Sequence, residues 1–362
     1  MNLSYIITWN KSDKTKTWSG TGYSIYKALQ KYFDIEEILV PEDNIVIRCF
    51  KKLLKTGFIT KGDIHRRRKI LNKKCKGKII FQFTEYVNES SAHTYIYQDL
   101  NVEHLLMLSK YKYELFCYAV GNTKVYHHLE KRCVLQKEYY RNASGVFCMG
   151  HWLKDYLINE CNVSSEKVFH VGGGINLKLE KIQPLKNKTK TKVLFVGRDF
   201  RRKGGTLTIE AFKLLRKQIP NAELFVAGPV ANPIKEYIEG YHFLGDLNSD
   251  KLIEYFNFCD IFCMPSYFEA YGLVFIEALT SGLPCIGRNC YEMPYFIEDG
   301  KTGLLLKDDS ALELSQLMYE LLTNDSYKKN VESRKEWYIK EYSWDTVAKR
   351  MHQIITSTQN NA

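Results

Sequence analysis

The sequence predicts an α/β protein of two domains, each a parallel sheet clad in helices. Three observations carry that prediction. From Thr191 onward, short and near-continuously apolar runs alternate with segments of helical spacing, the pattern of strands buried on both faces. The N-terminal half repeats the beat less regularly. A chain of 362 residues also exceeds what one hydrophobic core usually serves, so two domains of roughly 150 to 200 residues each are expected.

In the first half "LSYIITW" (3–9), "KIIFQF" (78–83), "TYIYQDL" (94–100) and "SGVFCMG" (144–150) read as strands, with helices expected over 22–33, 101–111, 127–141 and 150–159. The basic "LKNKTKTK" (185–192) reads as the link, giving domains over 1–185 and 186–340 and a terminal helical segment over 341–362. In the second half "KVLFVG" (192–197) is a strand, and 206–219 is a helix with Leu207, Ala211, Leu214, Leu215 and Ile219 on one face. "AELFVAG" (222–228) is the next strand, followed by a helix with Ser249 as its expected N-cap. "CDIFCMP", "YGLVFIEALTSG" ended by Gly282, and "LPCIG" then read as strand, helix and strand, and Ser310 opens a further helix to about Asn324.

Composition narrows the function classes. With 45% hydrophobic and 26% charged residues, the chain reads as an ordinary globular protein rather than a disordered or fibrous one. No apolar run approaches the ~18 residues that span a bilayer, and the apolar stretch in "MNLSYIITWNKSDK" is too short for a signal peptide. A cytoplasmic protein is expected. The ten cysteines are scattered from Cys49 to Cys290 without a CxxC pair, and no HxxxH occurs among the nine histidines. This favours reduced thiols and no metal site.

The net charge of +11 is uneven, with twelve Lys or Arg between Lys51 and Lys78 against the single acid Asp63. A solvated face is the plain reading. An anionic membrane surface or phosphorylated lipid stands second, which would place the protein at the inner face of the membrane, and nucleic acid stands last, since no aromatic interleaving accompanies the bases.

In open α/β sheets, ligands bind at the carboxyl ends of the strands, and two segments there carry chemistry. "VGRDFRRKGG" (196–205) puts Gly197, Arg198 and Lys203 in a strand-to-helix loop, where cations beside a helix N-terminus suit a diphosphate. "SYFEAYGLVFIEALTSG" (266–282) places Gly272 before the amides of Leu273 and Val274, first-turn donors ready for a phosphate. A carboxylate beside a phosphate would repel it, so Glu269 and Glu277 should accept from neutral hydroxyls, as a sugar offers.

"FEAYGLVFIEALTSGLPCIG", preceded by "CDIFCMPS" and followed by "IEDGKTGLLL", resembles the donor-site signature of glycosyltransferase family 4, whose pattern is Glu, seven residues, Glu. "VLFVGRDFRRKGG" resembles the same family's phosphate segment, and "NAELFVAGPV" and "HFLGDL" its next two strands. "SGVFCMGHWLKDYL", "KVFHVGGGIN" and "EYSWDTVAKRM" agree with weaker landmarks. The likeness covers essentially the whole second domain and the first one thinly.

It implies a GT-B fold, two Rossmann-like domains facing across a cleft, with a final helix that contains Trp344 crossing back to the first domain. It implies a retaining transfer from a nucleotide-sugar, more often a uridine one, to a glycan or lipid-linked acceptor in surface-polysaccharide synthesis. Glu269 would hold donor-sugar hydroxyls, Glu277 the ribose hydroxyls, and Arg198 and Lys203 the leaving diphosphate. The backbone of Phe243 to Asp246 and of Val226 to Pro229 would border the base, and Gly20 to Gly22 would lie near the phosphates. The chain has no DxD motif, so neither metal nor cofactor is expected.

The sequence departs from the family in placing Asp99 at a strand end where many members have a histidine, which makes Asp99 a candidate for lining a sugar. His93 and His104 each read as structural or solvent-facing. The turn "NCYEMPY" (289–295) is also altered, which leaves the donor's identity open. Two other readings stand beside transfer: a sugar-nucleotide epimerase of the same architecture, told apart by an epimerised donor formed without acceptor, and a non-catalytic sugar-nucleotide-binding protein, told apart by binding without turnover.

Overall fold

The computed structural model describes residues 1–42, 61–75, 78–88, 91–120, 126–183 and 190–360. The chain divides into two compact units, Met1–Gly174 with Trp344–Ala362, and Ile175–Ser343.

The first unit holds β1 (Asn2–Ile7), α1 (Thr21–Leu29), β2 (Asp34–Leu39), α2 (Lys61–Cys75), β3 (Ile79–Gln82), β4 (His93–Gln98), α3 (Val102–Tyr111), α4 (Tyr113–Val120), α5 (Tyr126–Asn142), β5 (Gly145–Cys148), α6 (His151–Asn159) and β6 (Val168–His170). Its sheet runs β2-β1-β3-β4-β5-β6, all parallel. The central strands bury aromatic side chains: Tyr5 stacks on Phe81 at 5.2 Å and Tyr95 on Phe147 at 5.4 Å. Strand β2 runs along the edge and is mostly exposed or half-buried, which hides it from a search for apolar runs.

The second unit holds β7 (Lys192–Val196), α7 (Gly205–Gln218), β8 (Glu223–Ala227), β9 (Tyr241–Gly245), α8 (Ser249–Phe258), β10 (Ile261–Cys263), α9 (Leu273–Thr280), β11 (Cys285–Arg288), α10 (Met293–Phe296), β12 (Gly303–Leu306), α11 (Ala311–Thr323), α12 (Asp325–Ser333) and α13 (Lys335–Glu341). Its order is β12-β11-β10-β7-β8-β9, again parallel throughout. Counted from the first strand of the unit this is the dinucleotide-fold order 3-2-1-4-5-6, which reverses between β7 and β10. The N-cap of α8 is Asn248 and not Ser249: its side chain accepts from the Lys251 amide, because the amide oxygen one residue earlier reaches the N3 position that a cap must satisfy. Ser310 caps α11 as expected, accepting from Glu313 N.

The last helix, α14 (Trp344–Asn360), rejoins the first unit. There Lys31 Nζ lies 2.8 Å from Asp345, and His352 stacks on Tyr32. No described helix is long and apolar enough to cross a membrane. The nine described cysteines are all free thiols.

Candidate functional site

The point where strand order reverses is where an open parallel sheet leaves a crevice at its carboxyl ends. In the second unit that point lies between β7 and β10, and the loops leaving those two strands carry Gly197 to Gly204 and Met264 to Gly272. Both loops end in a left-handed glycine that caps a helix, Gly204 with φ 78° before α7 and Gly272 with φ 103° before α9. The two loops touch: a Cβ on Gly204 would stand 2.4 Å from the Pro265 carbonyl oxygen, so only glycine fits.

This contact brings Lys203 onto Glu269. The Lys203 ammonium is ion-paired to Glu269 Oε2, with the two side chains only 12% and 11% exposed. Arg202 Nη1 stands 3.6 Å from the same oxygen and donates to the Phe268 carbonyl at 2.6 Å. Ser266 Oγ donates to the Phe268 carbonyl at 3.0 Å and lies 3.5 Å from Glu269 Oε2. Burial pushes the Lys203 ammonium below its ordinary value, and Glu269 opposes that. The pair places a cation that can take phosphate oxygens against a carboxylate that can take hydroxyls.

Glu277 lies one helix turn inside α9, buried, and accepts from the Asn176 amide at 3.4 Å. Burial raises its carboxyl to about 7, against the smaller pull of that amide. Leu273 and Val274, both half-buried, occupy the first turn, where backbone donors have no intrahelical acceptor. A Cβ on Gly272 would press at 3.0 Å on Glu269 Cγ and on Phe275.

The ends of β7, β8 and β9 also meet through glycines. Gly197 N donates to Ala227 O at 2.8 Å and Gly228 N to Gly245 O at 2.7 Å, and a Cβ on Gly228 would fall 2.6 Å from the Gly197 carbonyl carbon. Phe243, half-buried, pairs in register with Val226. Arg198 stands apart from the Lys203 pair: its side chain is 79% exposed, and it reaches Asp246 through Nε at 3.1 Å and Nη2 at 3.3 Å.

Three participants go unnoticed in the sequence. Arg202 hides within a basic run. Ser266 follows the end of β10 and Arg288 is the last residue of β11, and Arg288 packs over the Tyr267 ring at 4.3 Å while donating to Pro265 O at 3.3 Å. The altered turn holds Tyr291 at φ 55°, with its ring edge-on to Phe268 at 5.0 Å, beside Glu269.

The first unit has its own reversal point, between β1 and β3, and a cavity of about 470 Å³ opens there. Gly22 and Asp99 both line it, together with Thr8, Trp18, Phe83 and Arg67. Gly20 caps α1 at φ 92°, and the preceding Trp18 and Ser19 are also left-handed, at φ 48° and 55°. His104 is buried against Trp152 and Tyr156, and burial lowers it to about 4, so it belongs to the packing of the unit and not to the cavity. Within the basic stretch 51–78, residues 51–60 and 76–77 lie outside the described residues. On α2, Arg66 donates to Glu42 O at 3.5 Å, Arg67 to the Tyr86 hydroxyl at 2.8 Å and Arg68 to Glu138 at 3.5 Å, while Lys69, Lys73 and Lys74 are exposed.

Comparison with known proteins agrees with this geometry. Over the whole chain the structure is similar to WaaG, a glycosyltransferase involved in lipopolysaccharide biosynthesis, with TM-score 0.68 and 16% identity over 98% of this chain and 99% of that one. It is similar to the sucrose-phosphate synthase of Thermosynechococcus elongatus at TM-score 0.67 and 16% identity, with 100% of each chain covered. The fold is GT-B. Residues 178–344, nearly the whole second unit, match the family model described as glycosyl transferases group 1. Among curated relatives, an uncharacterized 41.2 kDa protein in the cps region of Klebsiella pneumoniae is 27% identical over 211 residues, 54% of this chain and 55% of that one. A D-inositol 3-phosphate glycosyltransferase of Corynebacterium kroppenstedtii is 26% identical over 179 residues, 45% of this chain and 40% of its own. The chain thus spans about half the length of the curated relatives it matches.

Proposed function

We propose that this GT-B protein is a retaining glycosyltransferase that moves a sugar from a nucleotide-sugar, a uridine one for preference, to a hydroxyl of a glycan or lipid-linked acceptor in cell-surface polysaccharide or glycolipid synthesis. The observation that carries the reading is the Lys203–Glu269 pair at the strand-order reversal of a unit that matches glycosyl transferases group 1. The names of the relatives agree with it, since the solved WaaG is a glycosyltransferase of lipopolysaccharide synthesis.

In this reading the second unit holds the donor and the first unit the acceptor. Lys203 leaves Glu269 for the diphosphate, with Arg198 as a second cation. Glu269 turns to the hydroxyls of the sugar, and the first-turn amides of Leu273 and Val274 take phosphate oxygens. Glu277 accepts from the ribose hydroxyls. The bond from the anomeric carbon to the phosphate oxygen breaks with its electron pair leaving to the nucleotide. The acceptor oxygen bonds to the same face of the carbon, and its proton passes to the departing phosphate oxygen. Negative charge grows on that oxygen in the transition state, so the preorganised cation supplies the main acceleration. This scheme asks for no metal. Peripheral contact with an anionic membrane fits the exposed Lys69, Lys73 and Lys74 better than Arg66 to Arg68, whose side chains are engaged within the first unit. Flotation with anionic vesicles at low salt should weaken when those three lysines become Gln.

The first test is incubation with a panel of sugar nucleotides without added metal, following slow donor hydrolysis by mass spectrometry, with Glu277→Ala beside the native chain. Release of nucleoside diphosphate from one donor by the native chain alone supports transfer. An epimerised donor without acceptor points to an epimerase instead, and binding without consumption points to a non-catalytic role.

A further inference from the structure

A second cavity of the first unit, of about 460 Å³, takes no part in the proposed transfer. It is built from the end of α5, the turn after α6 and the residue before β6. It therefore lies where the chain enters β5 and β6, whereas the ligand crevice of an open sheet forms where the chain leaves its strands.

The charges of this cavity are one-sided. Lys137, Arg141 and Lys167 line it, and among the described residues no carboxylate does. Lys137 and Arg141 stand four apart on α5 and so on one face, where like charges repel. An anion seated between them turns that repulsion into attraction. Glu103, itself outside the lining, holds Lys137 Nζ at 2.6 Å and balances one of the three charges. The two that remain match the charge of a phosphate monoester near neutral pH.

The groups are in place before any ligand arrives. Lys167 Nζ donates to the Arg141 carbonyl at 2.7 Å, an acceptor without an intrahelical partner at the end of α5. That bond answers the negative pole of the helix and leaves the ammonium further donors. The turn that carries Asn162 and Ser164 is closed as a helix C-cap, with Asn162 at φ 55° and Val163 N donating to Leu157 O at 2.9 Å. Among the described residues nothing bonds to the Arg141 guanidinium or to the side chains of Asn162 and Ser164. A fork, an amide and a hydroxyl are thus open to a ligand in one space. The volume exceeds what a phosphate ion needs and lies in the range of small-ligand pockets. Val163 is the sole aliphatic residue among the described lining, so the wall suits a polar organic part rather than an acyl chain.

We propose that this cavity binds the phosphate group of a small, polar phosphate ester, with Arg141 and Lys167 as its principal donors. The site is separate from the donor and acceptor regions of the transferase reading and does not depend on that reading.

The test is calorimetry on the full chain with glucose 6-phosphate, glycerol 3-phosphate, their neutral counterparts glucose and glycerol, and inorganic phosphate. At least one ester should bind about tenfold or more tightly than its neutral counterpart, and more tightly than inorganic phosphate. Arg141→Gln should weaken that ester about tenfold, as the loss of one charge-assisted bond does. Arg141→Lys should restore part of the affinity, and Lys217→Gln, exposed on α7, should change nothing. Lys167→Gln should weaken the ester as well, but it also gives up the bond to the α5 carbonyl, so its melting temperature is read beside it. Arg141→Gln breaks no described side-chain contact and is the deciding variant. The inference is overturned if neither ester binds, if the neutral compounds or inorganic phosphate bind as well as the esters, or if the affinity survives Arg141→Gln. Flotation with phosphatidylglycerol vesicles that depends on Arg141, without binding of a soluble ester, would overturn it too by making the phosphate a lipid's. UDP titrated in parallel should bind alike to the native chain and to Arg141→Gln. A joint loss of UDP and ester would overturn the inference by placing the ester in the donor site, whereas absence of UDP binding in the native chain would sink the donor assignment and leave the Arg141 result standing.

Discussion

Glu277→Gln tests the electrostatics of the donor site without any ligand. The Glu277 carboxyl is buried and raised to about 7 from an ordinary 4.5. A carboxyl whose native value is raised is favoured in its neutral form, so its stabilising effect is complete below the unfolded value of 4.5 and is lost as pH climbs through about 7. The whole shift corresponds to roughly 3 kcal/mol, most of which, about 2–3 kcal/mol, falls between pH 5 and pH 8. Gln keeps an oxygen for the Asn176 amide but has no charge to desolvate. The variant should therefore gain on the native chain as pH rises. At about 2–4 °C per kcal/mol for a unit of this size, the difference in melting temperature of the second unit should widen by roughly 5–10 °C between pH 5 and pH 8, measured by calorimetry at matched ionic strength. Donor hydrolysis should fall in the same variant, because the amide is a poorer acceptor for ribose hydroxyls. A gap that stays constant with pH, or that narrows, would refute the assignment of Glu277 as a carboxylate held at the expense of stability.

Other substitutions separate the roles around it. Lys203→Met should lower stability by about 2–3 kcal/mol, less than a fully buried broken pair because Arg202 remains 3.6 Å from Glu269; adding Glu269→Gln should restore stability in denaturant titrations, while single-turnover donor cleavage stays at least a hundredfold down. Arg198→Ala should leave the melting temperature unchanged, since the side chain is 79% exposed, yet weaken UDP binding by about tenfold as one charge-assisted bond is lost. Gly228→Ala, at φ 117° with the Gly197 backbone in the way, should cost more than about 2 kcal/mol and impair UDP binding, whereas Gly245→Ala, at φ 72° with nothing near, should cost about 1 kcal/mol. Equal losses at the two glycines would mean that the meeting of β7 and β8 is not what Gly228 serves.

The second unit was legible because its chemistry sits in two contiguous segments, each a strand, a loop and a helix. Arg198, Lys203, Gly272 and both glutamates could be placed from the apolar runs around them. Their pairing could not: Lys203 and Glu269 lie 66 residues apart in sequence, and the residues were read as separate binders of diphosphate and hydroxyls. In the first unit the cavity at the reversal point draws on six separated segments, and the most informative of them were the least readable. Strand β2 is acidic and edge-exposed, and α2 buries Ile64, Leu71 and Cys75 among a run of bases that reads as solvated surface. Arg67 was thus counted as one charge among twelve, although its neighbours Arg66 and Arg68 turn elsewhere and, among the described residues of that run, it alone enters the cavity.

The Lys203–Glu269 pair also bears on why a nucleotide-sugar, and not a bare nucleotide, would be the fitting ligand. A diphosphate that takes Lys203 leaves Glu269, 11% exposed, as a carboxylate short of its closest cation, and a buried charge stripped of its partner is costly. Arg202, at 3.6 Å, offsets part of that cost. Sugar hydroxyls donated to Glu269 would offset the rest, because hydrogen bonds to a carboxylate are stronger than those to a neutral acceptor. The exchange then conserves what each partner needs: the ammonium trades a carboxylate for a phosphate, and the carboxylate trades an ammonium for hydroxyls. In the proposed transfer the hydroxyls would depart with the acceptor, and Glu269 would again compete with the diphosphate for Lys203. The pair that prepares the site would thereby also favour release of the spent nucleotide, so that binding of the donor and loss of the product would be set by the same two side chains.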